Sequence, residues 1–471
     1  MRRFALGVDF GTTKVACALV DLEKGTVVAC ASTDTNAYVP SSNSLHHEQD
    51  PNEIKKAFIG GITACMKRFE GEIVSIGLTG QMHGIVGIDE TGGAVTNLVT
   101  WQDERGGERT ESGRTLLEEM EARGGKRQVA TGYGIVTLFD WTVHGRIRGI
   151  RAVSTIPDYF GMLLTGRTEP VMDYTMADST GAYDGEKEAW DKEYIGSLDI
   201  DPRLFPEIVP PTSVLGYLQE QDLRDRLHGC RAPVSVAIGD NQASYIGSVR
   251  EFTQTILVNI GTASQISYGI EARDEAQRYK TANGYDVVVR PFVEGLQLVS
   301  GNALSGGCSY ARLKRFFEEV GKELFGVAAS NDLWDKMFFL ASERDGSDGL
   351  SVYPLFWGKR SDPGCRGRIE EVGDQNFTPA NLIYGTLYGV VEILREMVDD
   401  SVIRQRRWVV GSGNALRRND ILQRIVGEIF KKGVLVPQFE EEAAVGAAIN
   451  GAVACGAAES FRHAGKVIRY G

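Results

Sequence analysis

Cysteine is scarce in this 471-residue sequence, and no two cysteines stand close enough to form a metal or redox motif. The seven cysteines are dispersed, and no Cys-x-x-Cys pair occurs among them; they stand at positions 17, 30, 65, 230, 308, 365 and 455. An odd number of scattered cysteines is typical of a protein from a reducing compartment that has neither structural disulfides nor a zinc site.

Basic charge and long apolar runs are also lacking. The 51 Lys and Arg residues are outnumbered by 63 Asp and Glu residues, and the formal net charge is −12. Without a basic stripe that could neutralise phosphates, nucleic acid is excluded as a general partner. The most apolar stretch, residues 443–458, is shorter than a membrane span and contains Asn450. We expect it to form a small-residue helix inside the protein, and we expect no membrane partner.

The first residues, MRRFALGVDF, enter a strand at once and lack an apolar core of signal-peptide length. The expected location is therefore cytoplasmic. The chain length predicts two domains, and 42% hydrophobic with 24% charged residues is the balance of a soluble globular protein.

Two familiar nucleotide-binding motifs are missing, but a different phosphate-binding device is present twice. No GxxxxGK[ST] P-loop occurs, and GSGNALRRND at 411–420 does not satisfy GxGxxG. Instead, LGVDFGTTKVACALVD at 6–21 and ILVNIGTASQISYG at 256–269 each predict two strands joined by a Gly-Thr turn. Such a tip presents backbone N–H groups and hydroxyls to an anion, and glycine allows close approach. Two facing tips predict an ATP clamp, although each alone is also compatible with a simple hairpin.

The two copies differ at the residue before the turn. Asp9 precedes the first turn, and Asn259 has this place in the second. A carboxylate would repel bound phosphates unless Mg²⁺ lies between them, usually through water. The first half is therefore predicted to hold metal and phosphate, and the second mainly phosphate.

Asp240 is the best candidate for catalysis because it ends the strand VSVAIGD just before a helix. Open α/β sheets place ligands at the carboxyl ends of their strands, and phosphoryl transfer to a sugar needs a carboxylate near the accepting hydroxyl. The alternative role for Asp240 is to cap the helix. The segments GQMHG (residues 80–84) and TWQDER (100–105) offer an aromatic face, amides and carboxylates, a mixture suited to a carbohydrate.

In this order, the motifs resemble those of the FGGY carbohydrate kinases of the actin/Hsp70/sugar-kinase superfamily. The matching runs span nearly the whole chain: GVDFGTTKVACALVD, EQDP, SIGLTGQMHG, TWQDER, ATGYG, IPDYFGMLLTG, AIGDNQAS, NIGTAS, GSGNALRRND and EAAVGAAINGA. The resemblance implies an α/β fold of two ribonuclease-H-like domains flanking an ATP and sugar cleft. We expect an N-terminal sugar-binding domain over 1–248, a C-terminal nucleotide-binding domain over 249–440, and a C-terminal helix over 441–471 that crosses back to the first domain.

The resemblance also implies roles for individual residues. Asp240 is expected to be the general base, and Asp9 is expected to help place the cofactor Mg²⁺ through water. The residues expected to contact the sugar are Gln81, Met82, His83, Trp101, Asp103, Asp240 and Asn241. Those expected to bind ATP are Gly11, Thr12, Thr13, Lys14, Gly261, Thr262, Gly307, Gly411 and Asn414.

Within this family, LVTWQDER, VATGYG and IPDYFGMLLTG are most similar to the sedoheptulokinases. The expected reaction is ATP-dependent phosphorylation of a terminal hydroxyl of a ketose, converting sedoheptulose to sedoheptulose 7-phosphate. GQMHG is also found in xylulokinase-like members, so D-xylulose or another pentulose is the alternative substrate. A non-catalytic actin/Hsp70-like nucleotide switch, or a sugar-responsive regulator, is the alternative of another class. The sequence leaves the oligomeric state undecided between a monomer and a homodimer, because no heptad or apolar patch can be read from it.

Overall fold

The computed structural model describes residues 2–67, 71–127, 129–271, 285, 287–328, 331–359, 362 and 364–471. The chain forms two compact units. The first comprises Met1–Arg250, Pro291–Glu294 and Phe439–Arg469. The second comprises Glu251–Arg290, Gly295–Gln438 and Tyr470–Gly471.

The first unit is built from short and long strands with helices between them. Its strands are β1 (Arg3–Phe10), β2 (Lys14–Asp21), β3 (Thr26–Asp34), β4 (Glu48–Gln49), β5 (Glu72–Gly80), β6 (Val86–Ile88), β7 (Leu98–Val99), β8 (Ala152–Ser154), β9 (Val171–Asp173), β10 (Tyr183–Asp184), β11 (Ala189–Trp190), β12 (Glu207–Val209), β13 (Val214–Tyr217) and β14 (Pro233–Gly239). Its first helices are α1 (Pro51–Cys65), α2 (Leu116–Gly124), α3 (Gly134–Val143), α4 (Ile156–Thr165), α5 (Tyr174–Ser179), α6 (Lys192–Ser197), α7 (Gln221–Arg226) and α8 (Asp240–Ser248).

The second unit repeats the alternation of strands and helices. Its strands are β15 (Thr255–Ile260), β16 (Ser264–Ile270), β17 (Val287–Pro291), β18 (Gln297–Ala303), β19 (Ser351–Tyr353), β20 (Arg368–Glu370), β21 (Trp408–Ser412) and β22 (Val434–Leu435). Its helices are α9 (Gly307–Phe325), α10 (Leu333–Ser342), α11 (Pro379–Glu396), α12 (Asp400–Gln405), α13 (Asn414–Arg417) and α14 (Asp420–Phe430). Two further helices, α15 (Glu442–Ala454) and α16 (Phe461–Ala464), belong to the first unit.

The central sheet of the first unit has the order β13-β14-β5-β1-β2-β3. Strands β14, β5 and β1 run parallel, with Gly239 opposite Gly80 and Asp9 opposite Thr79. Their carboxyl ends therefore lie side by side, at the edge where open α/β sheets bind ligands. Strands β1 and β14 are almost wholly apolar because the sheet is covered on both faces.

Helix α15 explains how this sheet is covered so closely. Nine of its thirteen residues are buried, and nearly all of them are small. A Cβ on Gly446 would lie 1.8 Å from the carbonyl oxygen of Ala243 in α8. A Cβ on Gly77 in β5 would lie 1.8 Å from the carbonyl oxygen of Ala447. The glycines thus permit direct backbone contact, and the predicted small-residue helix inside the protein is confirmed. Within the described residues, none of the helices has both the length and the apolar character that a membrane span requires.

The sheet of the second unit has the order β17-β18-β16-β15-β21-β22. Strands β15 and β16 form an antiparallel hairpin, as β1 and β2 do, and β21 lies parallel to β15 on its other side. Each predicted Gly-Thr turn therefore joins two antiparallel strands beside a parallel neighbour. The apolar core of this unit is formed between the sheet and helices α11 and α14.

Candidate functional site

Two acidic residues lie at the carboxyl ends of the parallel strands of the first sheet. Asp9 is the penultimate residue of β1, and Asp240 is the first residue of α8, directly after β14. The cap position of α8 is occupied by Gly239, so Asp240 lies within the first helical turn. The N-terminus of a helix stabilises a negative charge. Asn241 follows in the same turn and is partly exposed.

The surroundings of Asp9 are unusually negative. Burial, together with the charges of Asp240 and Glu441, raises the pKa of Asp9 to about 7, although Lys14 acts in the opposite direction. Among the described residues, Asp9 Oδ1 is shielded from solvent and has no hydrogen-bond partner. An acceptor of this kind, buried beside other carboxylates, is suited to a cation or to a water molecule that a cation holds.

The donor set fits Mg²⁺ better than a tightly caged metal. Within the part of the chain that the structure describes, no group of three or more His, Cys, Asp or Glu residues is arranged to hold a metal ion. Mg²⁺ usually keeps several waters and takes one or two carboxylates together with substrate phosphates. Asp9, with its unpartnered oxygen, provides such a carboxylate.

The turn after β1 is accessible at its tip, and an ion pair to the residue before α15 holds the residue that follows it. Gly11 and Thr12 are partly exposed and Thr13 is exposed, so the tip of the turn is accessible. Lys14 Nζ lies 2.5 Å from Glu441 Oε1 at the start of α15. Glu441 has the left-handed backbone conformation, with φ of 64°. That conformation costs a non-glycine residue about 1 kcal/mol and is concentrated at functional sites.

A network of side-chain amides joins this turn to the predicted sugar loops. The backbone N–H of Gln81 donates to Phe10 O at 3.0 Å, and Gln81 Nε2 donates to Gln49 Oε1 at 3.0 Å. Gln49 Nε2 in turn donates to Thr12 O at 2.7 Å. Trp101 Nε1 donates to Thr12 Oγ1 at 2.9 Å, while 41% of the Trp101 residue surface stays exposed. The turn and the two loops therefore form one connected surface.

The GQMHG loop holds His83 in a constrained position. Its φ is 74°, and its ring stacks on Tyr133 with the ring centroids 4.4 Å apart. His83 Nδ1 lies 2.7 Å from Ser179 O, and since a carbonyl oxygen only accepts, Nδ1 carries the proton. Met82 is buried in an apolar cluster with Met176.

Asp103 is buried, and hydrogen bonds within the protein occupy its carboxylate. It has no exposed surface, and its oxygens accept from Arg105 Nε at 2.7 Å and Arg105 Nη2 at 2.9 Å. The backbone N–H of His47 also donates to Asp103 Oδ2 at 2.8 Å. Arg105 is itself buried and also binds Glu48 at 2.7 Å. Direct contact between Asp103 and a sugar would require this ion pair to open.

In the second unit, the Gly261–Thr262 turn is fastened to the start of α9. The N–H of Gly307 donates to Gly261 O at 2.8 Å, and the N–H of Cys308 donates to Thr262 O at 3.0 Å. These bonds use the first N–H groups of the helix, so they hold the turn in place. Thr262 is exposed at the tip of the turn. The structure thus brings together three of the predicted nucleotide-binding residues.

The glycine-containing loop after β21 lies against the same hairpin. Gly411 is buried, and a Cβ there would meet Leu416 at 2.3 Å. Gly413, which the sequence interpretation did not select, has φ of 86° and is partly exposed. A Cβ on Gly413 would lie 2.5 Å from Asn259 Oδ1, so glycine is required for both reasons. Asn414 follows and is exposed.

The structure adds residues that sequence reasoning did not select individually. Gln49, Tyr133 and Glu441 contact predicted site residues, and each lies in or next to a motif that the sequence analysis recognises. The motifs EQDP, ATGYG and EAAVGAAINGA were the available signals. Their contacts could not be assigned, because spacing along the chain does not show which side chains face each other.

Comparisons with known proteins identify the family. The N-terminal domain of the FGGY family of carbohydrate kinases matches residues 4–247, and the C-terminal domain of that family matches 282–455. Sedoheptulokinase of Homo sapiens is 27% identical over 95% of this chain and 97% of that protein. Gluconokinase of Bacillus licheniformis is 24% identical over 98% of this chain and 89% of that protein.

A solved structure confirms the two-domain α/β fold that the sequence predicts. The gluconate kinase from Lactobacillus acidophilus matches with a TM-score of 0.82 and 20% identity, covering 100% of this chain and 93% of that one. The chain belongs to the FGGY family of carbohydrate kinases.

Proposed function

We propose that this carbohydrate kinase transfers the γ-phosphoryl group of ATP to a terminal primary hydroxyl of a ketose, and that the ketose is sedoheptulose. The observation that carries the reaction type is the arrangement of Asp9, Gln81 and Asp240 at the carboxyl ends of three adjacent parallel strands. The choice of sedoheptulose is supported by the similarity to human sedoheptulokinase over nearly the full length of both proteins.

Asp240 is the proposed general base. Its carboxylate orients the sugar hydroxyl and accepts the proton as the oxygen attacks phosphorus. Because the transition state of phosphoryl transfer is loose, positioning and charge neutralisation contribute most of the rate. The first turn of α8 therefore suits this role, since it fixes Asp240 on a regular element beside the sheet.

The two Gly-Thr turns are the proposed phosphate-binding elements. Gly11, Thr12 and Thr13 present the first turn, with Lys14 beside it. Asp9 would hold Mg²⁺ through water, and the ion would neutralise charge on the phosphate oxygens. In the second unit, the proposed nucleotide-binding residues are Gly261, Thr262, Gly307, Gly411, Gly413 and Asn414.

The sugar is proposed to contact the loops around the amide network. Trp101 offers its exposed ring to C–H groups, while Gln81, His83 and Asn241 offer hydrogen bonds to hydroxyls. Met82 supplies an apolar wall. We assign Asp103 to the support of Arg105 and the loop, because both its oxygens are already used.

The proposal is tested by measuring phosphorylation of sedoheptulose, D-xylulose, D-ribulose, L-ribulose, glycerol and gluconate with Mg²⁺ and ATP. We expect kcat/KM for sedoheptulose to exceed that for each other compound by about tenfold or more, about 1.4 kcal/mol in transition-state binding. A higher value for D-xylulose would replace the assigned sugar with the pentulose. Phosphorylation of glycerol or gluconate alone would contradict the ketose assignment, and ATP binding without phosphorylation of any of the six compounds would contradict the kinase reaction and favour a nucleotide switch.

A further inference from the structure

The short helix α5 contacts both the end of β14, directly before the proposed base, and the loop that carries His83. Four of its six residues are buried: Thr175, Met176, Ala177 and Ser179. A helix this short has little stability of its own, so its contacts determine its position.

The N-terminal end of α5 holds the end of β14. The N–H of Gly239 donates to Thr175 Oγ1 at 2.9 Å, and Thr175 Oγ1 lies 2.8 Å from Asp173 Oδ1. The threonine hydroxyl accepts from the N–H of Gly239 through an oxygen lone pair and donates its single proton to Asp173. Asp173 also accepts from the N–H of Met176 at 2.8 Å, which caps the helix. Gly239 is the residue directly before Asp240.

The C-terminal end of α5 holds His83 by two hydrogen bonds to one residue. The N–H of His83 donates to Ser179 Oγ at 3.0 Å, and His83 Nδ1 donates to Ser179 O at 2.7 Å. Ser179 Oγ donates to Met176 O at 2.7 Å, so its orientation is also determined. These bonds support the left-handed backbone of His83.

We propose that α5 is the positioning element of the site, in which the Thr175 hydroxyl fixes the peptide before Asp240 and Ser179 fixes the backbone and ring of His83. The sheet register between β14 and β5 ends at Gly239, so the next residue depends on other contacts for its position. The proposal deepens the proposed function, because it takes the roles of Asp240 and His83 from it. Asp173 acts one step further away, by orienting the Thr175 hydroxyl.

The first test compares Thr175→Val, which removes the hydroxyl at nearly constant volume, with Thr175→Ser, which keeps it. We expect Thr175→Val to lower kcat by about 10- to 100-fold with the KM for ATP unchanged, and Thr175→Ser to stay within about threefold of wild type. Ser179→Ala should instead raise the sugar KM, by about tenfold, more than it lowers kcat. Equal losses for the Val and Ser variants at position 175 would overturn the proposal.

Thr137→Val is the matched control. Thr137 is buried in α3, and its hydroxyl has no hydrogen-bond partner among the described residues. The substitution should leave kcat and both KM values unchanged. A fall in kcat equal to that of Thr175→Val would show that any buried Thr→Val change has this effect, and would overturn the specific role of Thr175.

Amide hydrogen exchange tests the positioning without requiring turnover. In the full chain without ligands, Thr175→Val should accelerate exchange at Gly239, and Ser179→Ala should accelerate it at His83, each by about tenfold or more. Exchange in the Gly261 turn should not change. These shifts would support positioning by α5 even if no ketose were phosphorylated, and that second result would count against the proposed function alone. Unchanged exchange at Gly239 and His83 in folded variants would overturn the role of α5.

Discussion

Asp9→Asn should make the ligand-free protein more stable, and the gain should grow as the pH rises. Burial and the charges of Asp240 and Glu441 raise the pKa of Asp9 from 3.8 to about 7. Between these two values the native state binds more protons than the unfolded chain. The stability that protonated Asp9 contributes is therefore complete below pH 3.8 and is lost as the pH rises to 7. Asparagine has no charge to bury and avoids this loss.

The magnitude follows from the pKa difference. About three units at about 1.36 kcal/mol each give an upper limit of about 4 kcal/mol at pH 8 and about 1.5 kcal/mol at pH 5. Asp9 is partly exposed, although its Oδ1 is buried, so water screens part of the charge. We therefore expect a gain of about 2 kcal/mol at pH 8.

The assay is urea unfolding from pH 5 to pH 8 with a chelator present, followed by circular dichroism. Asp34→Asn is the control, because Asp34 is exposed on β3 of the same sheet, and it should change the free energy of unfolding by less than about 0.5 kcal/mol throughout. Adding Mg²⁺ and ATP should stabilise wild type more than Asp9→Asn. Equal stability of wild type and Asp9→Asn at every pH would refute the electrostatic reasoning.

Three further substitutions test the site and its support. Asp240→Ala should lower kcat by about 100- to 10,000-fold while calorimetry shows unchanged nucleotide affinity, and near-normal turnover by the folded variant would remove Asp240 as the base. His83→Ala should raise the sugar KM by about tenfold with the ATP KM unchanged; an effect confined to ATP would place His83 elsewhere. Gly446→Ala should destabilise the protein by about 2 kcal/mol in thermal melts, because its Cβ would meet the backbone of α8. Gly196→Ala has open space around its Cβ and should have little effect; equal melting temperatures for both variants would contradict the packing argument.

The local elements of the fold were predictable because they depend on neighbouring residues. Each Gly-Thr turn joins two apolar strands within one short segment, and the small-residue helix α15 is visible in composition alone. The order of the motifs predicted the family because motif order is read directly along the chain. The GQMHG and TWQDER segments were predictable as loops, but their contacts were not.

Asp103 and Gly413 show where sequence reasoning stops. Asp103 is in a polar loop, yet Arg105 and the backbone of His47 occupy its oxygens. The sequence analysis predicts a nucleotide-binding role for Gly411 and not for Gly413, although Gly413 is the glycine with positive φ and partial exposure. Both outcomes depend on segments that are distant in sequence, so neither spacing nor composition contains them.

The sequence by itself determined the family, the two Gly-Thr turns and the identity of the acidic residue beside the first turn. Only the tertiary structure decided the electrostatic state of that residue. It places Asp240 and Glu441 close enough to raise the pKa of Asp9, and it buries one oxygen without a partner. Charge interactions depend on distance in space and on exclusion of water, and folding alone sets both.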